Sequence, residues 1–300
     1  MTHRRAFVKQ VGALTALACV QPKVLLAAPT AYKAGIQLYS LRDYIGQDPK
    51  GVLAKVAKAG YQEVETYGYS PEKHFWGLKP TEFRAVLADY GLTTPSGHYD
   101  LGAYLREGSE AQLDATIAAA KACGQQYLII PYLDEKLRAT PADFQALAAK
   151  FNKAGARCKS AGLRLGYHNH DFEFKPIAGT TLYDVLLKET DPALVDFELD
   201  IYWVVRAGQN PIQLMQAHPR RFPLWHIKDM DKAQPDLNTE IGSGSIDYRN
   251  IMAYASTAGL KHTIMEQENF AMDAYQSIAQ SAAYMRKNLL ATTKGLGMKH

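Results

Sequence analysis

Short apolar runs recur along this chain with room for one helix between each and the next. They are "AGIQLYSL" (34–41), "YQEVETY" (61–67), "LTTPSGHY" (92–99), "QYLIIPY" (126–132), "LRLGYHNH" (163–170), "LVDFELDIYW" (194–203), "FPLWHIKDM" (222–230) and "HTIMEQE" (262–268). The intervening stretches carry helical spacing, as in "PKGVLAKVAKAG", "TEFRAVLADYG", "EAQLDATIAAAKACG", "PADFQALAAKFNKAGARCKSAG" and "YRNIMAYASTAG". Five of them end on a glycine, Gly60, Gly91, Gly124, Gly162 and Gly259, where a left-handed cap closes a helix. Strand–helix alternation predicts a parallel sheet with helices outside it. Eight such units in about 270 residues predict a closed (β/α)8 TIM barrel of one domain, 29–300, rather than an open doubly wound sheet. No G-x-G-x-x-G opens the first strand-to-helix turn, which removes the simplest dinucleotide-binding alternative.

The first 28 residues are set apart from that pattern. "HRRAFVK" (3–9), an uncharged run from Gln10 to Pro22 and small residues at "LLAAP" read as a twin-arginine signal cut after Ala28. The run is too short and too weakly apolar to span a bilayer stably. The signal predicts a periplasmic protein that meets the twin-arginine export machinery. "ALAC", ending at Cys19, offers a lipoprotein box as the lesser reading, because Ala16 stands where leucine is preferred. Charge points the same way. The chain has 34 basic and 30 acidic residues, and Arg4, Arg5, Lys9 and Lys23 belong to the leader, so the remainder is balanced. A balanced surface gives no electrostatic footprint for nucleic acid or an anionic membrane. Cys123 and Cys158 read as core residues, since two cysteines make no disulfide framework. The sequence leaves an oligomer open.

In a barrel of this kind chemistry sits at the C-terminal strand ends. Those ends carry Gln37, Glu65, His98, His168 with His170, Glu198 with Asp200, His226 with Lys228, and Glu266 with Glu268. Members of each pair are two residues apart and share a face. Taken alone, His98 or His226 reads as a hydrogen-bonded core imidazole, and Glu65 or Glu268 as the partner of a lysine. The recurrence of Asp, Glu and His over the last four strands is different, because buried acids need a compensating charge. A divalent cation supplies it. Mixed imidazole and carboxylate donors suit Mn, Co, Zn, Fe or Ni better than Ca or Mg.

At these residues the chain resembles the sugar phosphate isomerase/epimerase family of xylose-isomerase-like TIM barrels, which includes ketohexose 3-epimerases, inosose dehydratases and type-four apurinic endonucleases. The most specific pieces are "ELDIYWVVRAG" (198–208), "HIKDM" (226–230), "EIGSGSID" (240–247) and "MEQEN" (265–269). The resemblance implies metal ligands at Asp200, His226 and Glu266. A fourth family ligand, a glutamate ending the fifth strand, is replaced here by His168. It also implies proton abstraction next to a carbonyl, with Glu266 as one base and the second face served by His168, His170, Glu173 or Glu198. His98 and Lys228 are the further acid/base candidates. Gln37, Tyr39, Glu65, Trp76, Glu198, Trp203 and Glu268 are expected to line the substrate. The expected function is a metal-dependent isomerase or epimerase of an unphosphorylated sugar or keto-sugar. The alternatives are a lyase or hydratase acting on a 3-keto-sugar, cyclitol or keto-glycoside, and an inactive sugar-binding barrel.

Overall fold

A computed structural model describes residues 32–291 of the 300-residue chain, so the expected leader lies outside the described residues. The strands in chain order are β1 (Ala34–Gln37), β2 (Glu63–Thr66), β3 (Thr93–His98), β4 (Tyr127–Ile130), β5 (Arg164–His168), β6 (Val195–Asp200) and β7 (Leu224–Ile227). Then come a short antiparallel pair, β8 (Asp229–Met230) and β9 (Asn238–Thr239), and β10 (His262–Met265). All but β8 and β9 close into one barrel in the order β1-β10-β7-β6-β5-β4-β3-β2, and every pairing in it is parallel. The expected (β/α)8 barrel is therefore the fold.

Local chemistry explains the helices between them. Asp48 Oδ1 accepts the Gly51 N–H at 2.9 Å to start Pro49–Ala59, and Thr140 with Asp143 forms a reciprocal capping box at Pro141–Ser160. The five predicted cap glycines all adopt positive φ, which L side chains avoid. The stretch expected as one helix over 248–259 breaks into Tyr248–Met252 and Ala255–Ala258. Two carbonyls there, of Thr257 and Ala258, accept N–H groups of Arg220 and Phe222 from the loop before β7. The ring of helices closes where Tyr61 Oη donates to Ile278 O at 2.9 Å, joining the start of β2 to Ala274–Tyr284. No helix among the described residues is long and apolar enough to cross a membrane.

The main core lies between sheet and helices. Inside the barrel a separate apolar cluster of Tyr127, Ile129, Leu224 and Ile264 fills the middle. Gly166 faces Ile129 in register, and a side chain there would collide with Ile129 Cδ1. Since strand residues alternate faces, the residues two steps beyond this plug, such as His168 and His226, crowd the C-terminal mouth. Pro95 is tolerated within β3 because the register against β2 slips by one residue there.

Candidate active site

The mouth of the barrel is built on Asp200. Its Oδ1 accepts the Trp203 N–H at 3.0 Å and turns the chain into a helix, Ile201–Arg206. This corrects the expectation that strand six runs on to Trp203: "IYWVV" reads as strand by its β-branched and aromatic content, but the capping carboxylate decides. Asn169 holds Asp200 from the neighbouring strand, accepting its N–H at 3.0 Å and donating to its carbonyl at 3.2 Å.

Around Asp200 stand His168, His226 and Glu266, all buried, each with one ligand atom within 4.8 Å of the others. Asp200 Oδ2 lies 3.8 Å from His168 Nε2 and 3.9 Å from His226 Nδ1, and the latter is 3.1 Å from Glu266 Oε2. The Lys228 ammonium, 1 % exposed, reaches Glu268 at 2.6 Å, Glu266 at 2.9 Å and Asp200 at 3.4 Å. Its backbone is clamped by Tyr248, whose hydroxyl accepts the Lys228 N–H at 2.9 Å and donates to its carbonyl at 2.7 Å. Beneath lies a second layer. His98 Nε2 sits 2.7 Å from Glu198 and 3.1 Å from Glu65, and Gln37 donates to Glu65 at 2.7 Å.

These residues fit a divalent cation. Asp200, Glu266 and Glu268 share one ammonium while Glu65 and Glu198 face only the imidazoles of His98, His168 and His226 among the basic groups, and Asp200 Oδ2 is buried without a hydrogen-bond partner of good geometry. Buried acids left in that state are costly.

Titration behaviour follows from the same crowding. Burial alone would raise Glu266 and Glu65, but Lys228 and His226 beside the first, and His98 and His226 beside the second, hold both well below the usual carboxylate range. Burial and the Glu65 charge push Glu198 up to about 7. His98, despite burial, is raised to about 9 by Glu65 and Glu198. Burial would lower Lys228, yet Glu266, Asp200 and Glu268 raise it well above an ordinary ammonium, so it stays charged. His168 is lowered well below its usual value by burial and by the positive charge of His226. Burial and then Lys228 take His170 down to about 3, so this imidazole is neutral through the physiological range.

The expected site residues fall into three places. Asp200, His226, Glu266, His168 and Lys228 meet at the centre, with Glu268 bonded to Lys228. Tyr39, Trp76, His170 and Trp203 stand around it. Tyr39 is 40 % exposed and packs edge-on against Tyr67 at 5.1 Å, and Trp76 packs on Tyr67 at 5.2 Å. His170 and Trp203 lie 5.5 Å apart, and both His170 Nδ1 and Trp203 Nε1 are buried without partners. Glu65, Glu198, Gln37 and His98 lie below, and the two glutamates, expected to touch substrate, are fully buried against imidazoles instead. Glu173, expected as a second base, faces away from the centre. Its carboxylate accepts from Tyr167 Oη at 2.6 Å and His170 N at 2.9 Å, and burial raises its pKa to about 8. Sequence reasoning missed Asn169, Tyr248 and Phe172. Asn169 had one signal, its position between two site histidines; the other two are visible only in tertiary contact.

Comparison with known proteins agrees with this architecture. The family model described as "Xylose isomerase-like TIM barrel" matches residues 53–288. A sugar phosphate isomerase/epimerase from Parabacteroides distasonis ATCC 8503 is 30 % identical, with a TM-score of 0.72, over 89 % of this chain and 98 % of that one. The inosose dehydratase of Geobacillus kaustophilus (strain HTA426) is 25 % identical over 251 residues, covering 71 % of this chain and 77 % of its own. That of Lacticaseibacillus casei is 22 % identical over 232 residues, 69 % of this chain and 77 % of its own.

Proposed function

The chain belongs to the xylose isomerase-like TIM barrel family, and from that premise we propose that it is a metal-dependent enzyme removing a proton next to the carbonyl of an unphosphorylated keto-sugar or keto-glycoside. His168, Asp200, His226 and Glu266 would hold a divalent ion of the Mn, Co, Zn, Fe or Ni group. Such an ion polarises a carbonyl and lowers the cost of forming a carbanion beside it.

The outcome we favour is elimination of a group β to the carbonyl, a lyase or dehydratase reaction. One observation carries it: β5 brings an imidazole, His168, to the ligand group where two-base epimerisation needs a second carboxylate, while Lys228 stands charged 2.9 Å from Glu266. Glu266 is an ionised carboxylate that takes the proton. Lys228 is a buried cationic donor suited to a departing or developing oxyanion. Returning a proton on the opposite face needs a donor on that face, and Lys228, in contact with Glu266 at 2.9 Å, is not set across a substrate from it. The inosose dehydratase relatives support this choice. The expected isomerase or epimerase remains the second reading, favoured by the Parabacteroides relative and by Glu268, a further carboxylate on Lys228.

Aromatic rings support a sugar. Tyr39, Tyr67 and Trp76 form one wall, and Tyr132, Phe172 and Trp203 stand around His170 on the other, with faces suited to sugar C–H groups. The nearby arginines are engaged. Arg42 donates to the carbonyls of Tyr39 and Glu268, and Arg138 donates to the Leu133 carbonyl and stacks on Phe172 at 3.6 Å. Neither is set out as a phosphate cradle, which supports an unphosphorylated substrate. Export by the twin-arginine route, proposed from "HRRAFVK" alone, would place the enzyme where such sugars occur; periplasmic accumulation of an Arg4→Lys, Arg5→Lys variant would refute it.

The reaction class is tested with keto-sugars and 3-keto-glycosides in deuterated water. Release of water or aglycone supports elimination. Deuterium incorporation with neither released supports the isomerase or epimerase.

A further inference from the structure

We infer that Glu65, His98 and Glu198 form an outer layer that selects which nitrogen of His168 and of His226 is offered to the metal. This rests on the reading that His168, Asp200, His226 and Glu266 hold a divalent cation.

A neutral imidazole carries a hydrogen on one nitrogen and a lone pair on the other, so only one can be a ligand. In His168, Nδ1 lies 3.1 Å from Glu198 Oε2, while Nε2 faces Asp200 Oδ2 at 3.8 Å. In His226 the ring is turned the other way. Its Nε2 lies 2.7 Å from Glu65 Oε2 and 3.3 Å from Glu198 Oε2, and its Nδ1 faces Glu266 at 3.1 Å and Asp200 at 3.9 Å. An ionised carboxylate can only accept. His168 Nδ1 therefore carries its hydrogen toward Glu198, leaving Nε2 toward Asp200; His226 meets carboxylates at both nitrogens, and a cation beside Asp200 and Glu266 would take Nδ1 in place of a hydrogen, leaving the ring's hydrogen on Nε2 toward Glu65. The two histidines are thus set in opposite tautomers by carboxylates lying between them. Such partners hold ring orientation and raise ligand basicity.

His98 makes this arrangement tenable. Two carboxylates within reach of one His226 nitrogen would repel, and His98 Nε2 lies between them at 3.1 Å from Glu65 and 2.7 Å from Glu198, with its ring stacked on His226 at 5.3 Å. His98, His168, Glu198 and His226 also bring one ligand atom each within 4.8 Å of one another, but His168 and His226 meet Glu198 through Nδ1 and Nε2, the nitrogens turned away from Asp200, at 3.1 and 3.3 Å, the range of hydrogen bonds. Glu65 and Glu198 are fully buried and act through the histidines, so they are positioning residues.

The test uses the full chain, stripped with a chelator and titrated with Zn2+ by calorimetry, with visible absorption recorded for the Co2+-loaded protein. Glu198→Gln and Glu65→Gln are each expected to bind Zn2+ about 10- to 100-fold more weakly than the parent and to shift the Co2+ bands. Glu63→Gln, which removes a buried carboxylate at the other end of β2, is expected to leave both unchanged. Should Glu198→Gln fail to fold, Glu65→Gln and His98→Asn carry the same expectation. If the parent binds no metal, or binds it no better than Asp200→Ala, the metal reading itself falls. If Asp200→Ala loses the metal while Glu198→Gln, Glu65→Gln and His98→Asn keep the parent's affinity and Co2+ spectrum, the outer-layer inference is overturned.

Discussion

The two ends of this barrel use the same residue types and settle them differently. At the N-terminal end Glu63 pairs with His262 at 2.8 Å and Lys33 at 3.6 Å, and Asp196 takes a two-point grip from Arg164. Each carboxylate there has its own cation. Two residues further along the same strands, Glu65 and Glu198 lead into a group of five carboxylates sharing Lys228 and a set of imidazoles, with Glu65 Oε1, Glu198 Oε1 and Asp200 Oδ2 buried and unpartnered. The apolar plug of Tyr127, Ile129, Leu224 and Ile264 keeps the two ends apart. Buried charge alone is therefore no sign of function in this chain. What separates the ends is an unmet demand for positive charge at one of them.

The sharpest way to break that contrast is to remove a central acid. Asp200→Ala or Glu266→Ala is expected to lower metal affinity by one to several orders of magnitude and to abolish turnover, while metal analysis and circular dichroism show a folded, metal-poor protein. Loss of fold with no metal in the parent would mean that both ends are merely structural. The histidines of β5 and its loop give the next largest effect. His168→Ala should lose metal and His168→Glu should regain part of it. His170→Ala should keep the metal and lose about 10²- to 10⁴-fold in kcat, the loss expected on removing a neutral imidazole that accepts a proton. The reverse pattern would move the ligand assignment by two residues.

At the opposite end the expected effect is on stability. Glu63→Gln should cost about 1–3 kcal/mol, the penalty of weakening a buried charged hydrogen bond, and leave metal content and kcat untouched; a loss of metal there would erase the distinction between the ends. The smallest effect concerns Glu173. Its carboxyl is raised from 4.5 to about 8 by burial, so the folded state holds the proton more tightly than the unfolded one. That contribution is complete below pH 4.5 and is lost as pH rises through 8. Between pH 5 and 8 the parent should therefore lose more thermal stability than Glu173→Gln, and equal losses would contradict the burial account.

Much of this was legible in the residues. The eight barrel strands follow from short apolar runs separated by capped helices, since both signals are local. The central cluster of His168, Asp200, His226 and Glu266 also follows, because residues two apart share a face and the last four strands repeat the same chemistry. What escaped depended on contacts across the barrel. Glu65 and Glu198 read as substrate contacts because they sit at strand ends like Glu266, yet they are one layer lower, and depth depends on strand tilt and register. Glu173 read as a base beside two histidines, but its 3-10 turn folds it back onto Tyr167. His170 read as an acid/base group, and its burial and its closeness to Lys228 keep it neutral.

The most direct test of the central claim follows carbon–hydrogen exchange by proton NMR. A keto-sugar or 3-keto-glycoside is incubated in deuterated water with the Zn2+-loaded chain, the chelator-stripped chain, and the stripped chain given Zn2+ again. The account predicts loss of the signal of the hydrogen next to the carbonyl, by exchange or by elimination, in the loaded and restored samples only, and in neither for Glu266→Ala. Equal reaction in the stripped chain, or full reaction in Glu266→Ala, would contradict it.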